Sequence, residues 1–193
     1  MMREIVLLLM AYALGNILTG YFLVKVIYNK EIHQEGSGNA GARNAGRLIG
    51  KKAFVITFLG DAIKGALAVL LVKWMGLTFD WQLFILFAVI LGHIFPVAFR
   101  FKGGKGMSTY IGGMLAFQPV LFSAFAGAFI IFYLLFKSLT LAGMAAIAVL
   151  PIIMIFFPYE LPVILAAIPL SAIVLFAHRH NIKEKIFIER KIS

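Results

Sequence analysis

Three polar stretches interrupt an otherwise apolar chain, and each holds residue types suited to phosphorylated molecules. The first reads Gly36-Ser37-Gly38-Asn39-Ala40-Gly41-Ala42-Arg43-Asn44-Ala45-Gly46-Arg47. Glycine lets the backbone approach a ligand closely, and successive N–H groups turned one way form an anion-binding nest. Ser37, Asn39 and Asn44 add neutral hydrogen-bonding groups, and Arg43 and Arg47 add planar forks that match phosphate or carboxylate. A flexible linker is the competing reading, but a linker is richer in Pro and Glu and poorer in Asn and Arg.

The second stretch begins with Gly92-His93-Ile94-Phe95-Pro96 and ends with Phe101-Lys102-Gly103-Gly104-Lys105-Gly106. Two lysines three apart around a glycine pair would hold a polyanion by charge and by backbone amides. Ser108 or Thr109 would cap the following helix, whose N-terminal dipole also favours an anion. This is not a Walker A loop, because Gly106 follows Lys105 where that motif has Ser or Thr. The competing reading is a basic loop beside a helix kinked at Pro96. The third stretch, His178-Arg179-His180-Asn181, carries an imidazole able to act as acid or base near neutral pH. Its competing reading is an interfacial anchor on lipid phosphates.

Asp61 and Lys64 lie inside an apolar run, three residues apart and so on one helix face. Intramembrane charges face the bundle interior. We read the two as a structural ion pair that orients a neighbouring loop, with proton or ion transport as the alternative.

The exclusions are as useful. With no cysteine there is no thiolate nucleophile, thiolate metal site or disulfide scaffold. The chain lacks a His-x-x-x-x-Asp pairing, a nucleophile elbow and a His-Glu-x-x-His zinc motif. Its acidic residues are few and scattered, so no metal and no cofactor are expected. A covalent acyl-enzyme has no obvious nucleophile.

The elements that must position these residues are membrane helices. The chain has 193 residues, of which 62% are hydrophobic and 13% charged, far from the balance of a soluble domain. A bilayer crossing takes roughly 20 apolar residues, so a single transmembrane domain over 1–193 is expected. The first apolar run spans about Ile5 to Tyr28 and is read as a retained span rather than a cleaved leader. The second spans Ala53 to Met75 and the third Trp81 to Phe99. Weak breaks divide the rest into 107–117, 119–136, 139–157 and 160–177. The net charge of +10 comes mostly from the three polar stretches, which fits cytoplasmic loops better than nucleic-acid binding. Placing all three stretches on one side requires an even number of crossings between them. The expectation is an all-α polytopic bundle of about seven transmembrane helices, N-terminus outside and C-terminus cytoplasmic. The piece 107–117 is only about 16 Å long and is a partial helix that its neighbours must shield.

Taken together the three stretches resemble the bacterial membrane acyl-phosphate:glycerol-3-phosphate acyltransferases (PlsY-type). The family's G-S-G-N-x-G-x-x-N-x-x-R is similar to Gly36 to Arg47, its G-H-x-x-P-x-x-x-x-F-K-G-G-K-G to Gly92 to Gly106, and its H-R-x-N-I to His178 to Ile182. Asp61 to Gly65 also looks like family sequence. Arg43 stands where members often carry a small hydroxyl residue, and the likeness is not carried past Ile182. The resemblance implies transfer of a fatty acyl group from acyl phosphate to the 1-hydroxyl of glycerol 3-phosphate. That reaction gives lysophosphatidic acid and phosphate, the first step of phospholipid synthesis, at the cytoplasmic face of the bacterial inner membrane.

On that footing glycerol 3-phosphate is expected on Ser37, Asn39, Arg47 and their amides, with Gly38, Arg43 and Asn44 beside them. Acyl phosphate is expected on Lys102, Lys105 and the Gly103-Gly104 backbone, with Gly106 and Arg179 nearby, and its chain between helices among membrane lipids. His178 or His93 would orient or deprotonate the hydroxyl, unless a substrate phosphate does so. The catalytic set is His178, Lys105, Ser37 and Asn181. A mixed anhydride is already activated, so the enzyme's task is to hold two like-charged groups together. A transporter or channel for a small phosphorylated anion is the competing class, but it calls for matching residues on both faces, and the outer loops offer only Lys73, Asp80 and Glu160.

Overall fold

The computed structural model describes residues 2–183. The basic tail residues Lys185, Arg190 and Lys191 lie outside them. Among the described residues all regular structure is helical. The chain forms two compact units, Met1–Phe117 and Gln118–Ser193.

The first unit contains α1 (Met2–Gly15), α2 (Thr19–Tyr28), a short 3-10 turn (Ile32–Gln34), α3 (Ala42–Ile49), α4 (Lys51–Trp74), α5 (Phe79–Ile94), a second 3-10 turn (Val97–Phe99) and α6 (Met107–Phe117). Along the middle of α4 apolar side chains face outward and the charged ones face inward. On α4, Phe54, Ile56, Leu59, Ile63, Leu67 and Leu70 are exposed, whereas Asp61 and Lys64 are 1% and 4% exposed. That inversion suits a hydrocarbon surround. Among the described residues of the whole chain four apolar segments are long enough to cross a bilayer: Met2–Tyr28, Lys51–Trp74, Phe79–Phe99 and Pro119–Phe136.

Close backbone approach holds this unit together, and glycine permits it. A Cβ on Gly15 would strike the Val89 carbonyl oxygen, and one on Gly92 the Tyr12 carbonyl oxygen, so α1 lies directly on α5. In the same way Gly65 lies against Thr109 and Gly112 against Ala62, which seats α6 on α4. Leu7, Ala11, Ala68, Val72, Ile85, Ala88 and Val89 fill the space beside these contacts. A second cluster of Leu18, Val24, Ile32, Ala40, Ala45 and Ala53 forms the floor under the first polar stretch.

Three expectations need correction here. The first apolar run is not one continuous helix: it breaks at residues 16–18, where Asn16 turns its amide onto the Tyr12 carbonyl, 2.7 Å away, and accepts from Ala98 N at 3.3 Å. The Gly-rich stretch is not wholly loop, because Ala42–Ile49 is the helix α3, stabilised by burying Ala42, Asn44 and Ala45. Pro96 does not kink a continuing helix. It lies beyond the end of α5 at Ile94 and opens the second 3-10 turn.

The second unit contains α7 (Pro119–Phe136), α8 (Leu139–Met154) and α9 (Leu161–Ala177), followed by helical residues 179–183. Its breaks fall where the sequence places them, except that α8 stops at Met154 rather than 157. Pro119 opens α7, a position where the missing N–H is not needed. Ser138 caps α8 by accepting from Leu141 N at 3.4 Å. Leu121, Phe125, Ala146, Ile147, Leu150, Ala167, Leu170 and Val174 are buried.

Candidate active site

The first polar stretch is a tight turn packed onto α2 and leading into α3. Gly36 and Gly38 have φ of +58° and +68°, the left-handed region that side chains avoid. Asn44, 1% exposed, ties the turn from within: its Oδ1 accepts from Ser37 N at 2.9 Å and its Nδ2 donates to the Glu35 carbonyl at 3.0 Å. Gly38 N donates to the Glu35 carbonyl at 3.0 Å, and Gly41 N to Asn39 Oδ1 at 2.9 Å. The rim carries two ion pairs, Lys25–Glu31 and Lys30–Glu35, each at 2.9 Å. The hydrogen bond from Lys25 holds the Glu31 carboxyl below its ordinary range, and Glu35 holds the Lys30 ammonium above its own.

The second stretch folds back over the first. Ala40 N donates to the Gly103 carbonyl at 3.4 Å, and Asn39 Nδ2 reaches the same oxygen at 3.5 Å. Arg100 and Phe101 both take left-handed conformations, φ 51° and 61°, to make this reversal. The Gly103-Gly104 pair is dictated by space. A Cβ at Gly103 would strike the His93 carbonyl oxygen, and one at Gly104 would coincide with His93 Nε2. Gly104 N donates to the His93 carbonyl at 2.9 Å. Gly106, with φ 79°, ends the turn and leads into α6.

The expected nest therefore takes a different form. The amides of Ser37, Gly38, Ala40, Gly41 and Gly104 all donate within the protein. They fix the shape of the two turns. Arg43 and Arg47, four apart on α3, are exposed on one face; Ser37 and Lys102 are exposed and Lys105 is half-buried. Ser108 and Thr109 do not cap α6, which already begins at Met107, and Thr109 is fully buried on α4.

Under the second turn lies a buried polar cluster at the α1–α2 break. Lys64 Nζ donates to the Gly15 carbonyl at 3.1 Å and to the Ile17 carbonyl at 2.6 Å. These are carbonyls that a helix end leaves without partners. The same ammonium stands 3.1 Å from Asp61 Oδ1 and 2.8 Å from His93 Nδ1. Thr19 Oγ1 donates to Asp61 Oδ1 at 3.2 Å. Asp61 and Lys64 thus form the expected ion pair, and the segment it orients is the helix break. Thr19, Tyr12 and Asn16 were missed in the sequence; Tyr12 Oη donates to the Phe95 carbonyl at 2.7 Å. Their signal was present as polar groups at spacings of four and three inside an apolar run.

In the second unit His178 caps the C-terminus of α9 and is 8% exposed. Its Nδ1 lies 2.9 Å from the Val174 carbonyl, which can only accept, so Nδ1 carries a proton. Arg179 stacks on Phe176 at 4.1 Å and donates to its carbonyl at 3.0 Å. Asn181 lies one turn beyond His178 and is half-buried.

Comparison with known proteins adds the following. The family model for glycerol-3-phosphate acyltransferase matches residues 5–187. A glycerol-3-phosphate acyltransferase 1 of Bacillus cereus is 46% identical over 172 residues, covering 89% of this chain and 94% of that one. The enzyme of the same name from Desulfitobacterium hafniense is 41% identical over 187 residues, covering 96% and 92%. A crystal structure of PlsY (YgiH), an integral membrane glycerol 3-phosphate acyltransferase in its glycerol 3-phosphate form, superposes with a TM-score of 0.85 at 32% identity, covering 96% of this chain and 92% of that one. The lysophosphatidic acid form of the same enzyme superposes with a TM-score of 0.83.

Proposed function

The chain belongs to the glycerol-3-phosphate acyltransferase family, and from that premise we propose how its own residues divide the reaction. It is an integral membrane glycerol-3-phosphate acyltransferase. The donor is acyl phosphate and the acceptor is the 1-hydroxyl of glycerol 3-phosphate. The products are lysophosphatidic acid and inorganic phosphate. The observation that carries this reading is the meeting of two cation-bearing, glycine-shaped turns at one carbonyl, that of Gly103, with Ala40 N and Asn39 Nδ2 both on it.

Glycerol 3-phosphate lies on the first turn, against Ser37 and the arginine face of α3, Arg43 and Arg47. The acyl phosphate lies on the second, against Lys102 and Lys105. Asn39 and Asn44 set the first turn and its distance from the second; Gly38, Gly103, Gly104 and Gly106 give both their shape. The hydroxyl attacks the acyl carbonyl carbon, the carbon–oxygen bond to phosphate breaks, and inorganic phosphate leaves with the electron pair. Two cation sets are needed because like-charged substrates repel, and fixed charges that favour the developing negative charge lower the barrier. His178, with Asn181 and Arg179, serves the same reaction, orienting the hydroxyl or taking its proton. No protein nucleophile takes part.

The bundle has about seven crossings, with the N-terminus outside, the C-terminus inside and the turns at the cytoplasmic face of the inner membrane. The chain acts as one transmembrane catalytic domain, and the acyl chain lies among its apolar helices.

Purified protein in detergent, given acyl phosphate and glycerol 3-phosphate, is expected to release phosphate and form lysophosphatidic acid with no vesicle present. Lys105→Ala is expected to stop turnover while leaving the protein folded. A requirement for a sealed vesicle would favour an anion transporter, and near-normal activity of folded Lys105→Ala would remove that residue from the site.

A further inference from the structure

The buried cluster beneath the second turn has a chemical polarity that bears on which histidine does what. Lys64 has three N–H groups as an ammonium, with Asp61 as its counter-ion at 3.1 Å. Two of them face carbonyl oxygens, those of Gly15 and Ile17, which can only accept. The third is shared between Asp61 Oδ1 and His93 Nδ1, the latter at 2.8 Å. An N–H on Nδ1 would point at the hydrogens of that ammonium. Asp61 Oδ1, 3.7 Å from Nδ1, is too far to accept a hydrogen bond from it, so beside the Lys64 ammonium Nδ1 is the acceptor and the ring's single proton sits on Nε2. Nε2 is the atom against which Gly104 packs, so the N–H edge faces the second turn. The ring is held on both edges: it is 3% exposed, with Lys64 Nζ at Nδ1 and Gly104 packed against Nε2.

We propose that Lys64, with Asp61, is a positioning residue that locks His93 as the Nε2–H tautomer, making His93 a hydrogen-bond donor to the anion held on the Gly103-Gly104 turn rather than the base that deprotonates the attacking hydroxyl. The choice of anion, the acyl phosphate, rests on the assignment of the second turn made above. The lock reaches from the α1–α2 break, through the ammonium and the imidazole, to the turn.

The test is spectroscopic first. Protein labelled with 15N-histidine, purified in detergent and observed by 1H–15N correlation, reads the tautomer directly in the unmodified enzyme. His93→Gln identifies the signal by its loss. The expected pattern is a proton on Nε2 and an unprotonated Nδ1. A proton on Nδ1, or fast exchange between the two, overturns the proposal.

Kinetics supply the second readout. Gln places its amide nitrogen near Nε2 and Asn near Nδ1. His93→Gln is expected to keep kcat within about tenfold, while His93→Asn raises the KM of acyl phosphate by about tenfold or more, the worth of a hydrogen bond to an anion. Lys64→Gln is expected to blur the tautomer signal and raise the same KM. A collapse of kcat in folded His93→Gln, with KM unchanged, would restore His93 as the base and end the proposal. Should the KM of glycerol 3-phosphate shift instead, the donor role stands and the assignment of substrates to the two turns fails.

Discussion

Gly104→Ala puts the coupling between the second turn and the buried cluster to a direct trial. The added methyl would coincide with His93 Nε2, with Cε1 and Cδ2 of the same ring at 2.7 and 2.9 Å. A flexible side chain would yield, but this ring is held at Nδ1 by Lys64, 2.8 Å away. Either that hydrogen bond breaks or the turn lifts by roughly 1.5 Å to restore ordinary contact. Forcing a methyl into a packed site costs about 1–3 kcal/mol. The larger effect is on rate, because a displacement of about 1 Å at a reacting group costs on the order of a hundredfold. Phosphate release from acyl phosphate, with glycerol 3-phosphate saturating, measures the rate; thermal unfolding in detergent measures the stability. The expected result is a loss of about a hundredfold in kcat/KM with a modest fall in Tm. Gly127→Ala is the companion, since a Cβ there meets nothing within 4 Å, and its activity is expected to be unchanged. Folded Gly104→Ala with activity within about threefold of the parent would refute the idea that turn and histidine are one rigid piece.

Two further outcomes follow from the packing. Asn44→Ala removes the partner of Ser37 N and one of the two donors to the Glu35 carbonyl, at about 1 kcal/mol for each lost hydrogen bond; the first turn is expected to become the first site of limited proteolysis and the KM of glycerol 3-phosphate to rise, while equal protease resistance would count against the tie. Gly112→Ala drives a methyl into the Ala62 carbonyl, a backbone atom that cannot move aside; α6 is expected to detach from α4 with a loss of about 3 kcal/mol or more, and an unchanged Tm would contradict that contact.

The architecture was legible in the sequence wherever hydrophobicity alone decides. Runs of apolar residues ended by Gln118-Pro119, Lys137-Ser138 and Pro158-Tyr159-Glu160 were read to within a few residues, because a helix end in a greasy chain needs polar or Pro punctuation. The break at residues 16–18 was not legible. Its cause, the Lys64 ammonium drawn to the Gly15 and Ile17 carbonyls, lies 47 residues away from Ile17 in sequence. Helix α3 was missed for the opposite reason: its glycine and arginine content argues against a free helix, and only burial of Ala42, Asn44 and Ala45 stabilises it.

The candidate site was legible as a set of residues and not as a division of labour. Gly, Asn, Ser, Arg and Lys together announce an anion site, but residue type does not say which group faces the ligand and which holds the turn. Asn44 and Arg47, three apart, illustrate the difference. Asn44 is turned inward and fully committed to backbone, whereas Arg47 is exposed. The glycines divide likewise: Gly36 and Gly38 are required by φ, but Gly103 and Gly104 are required by His93, ten and eleven positions earlier, which no local rule connects to them. The two histidines carry the point furthest. His93 is paired through Nδ1 with an ammonium and His178 through Nδ1 with a carbonyl, so the same atom accepts in one and donates in the other. The two rings are therefore held in opposite senses at Nδ1, and only the neighbours reveal it.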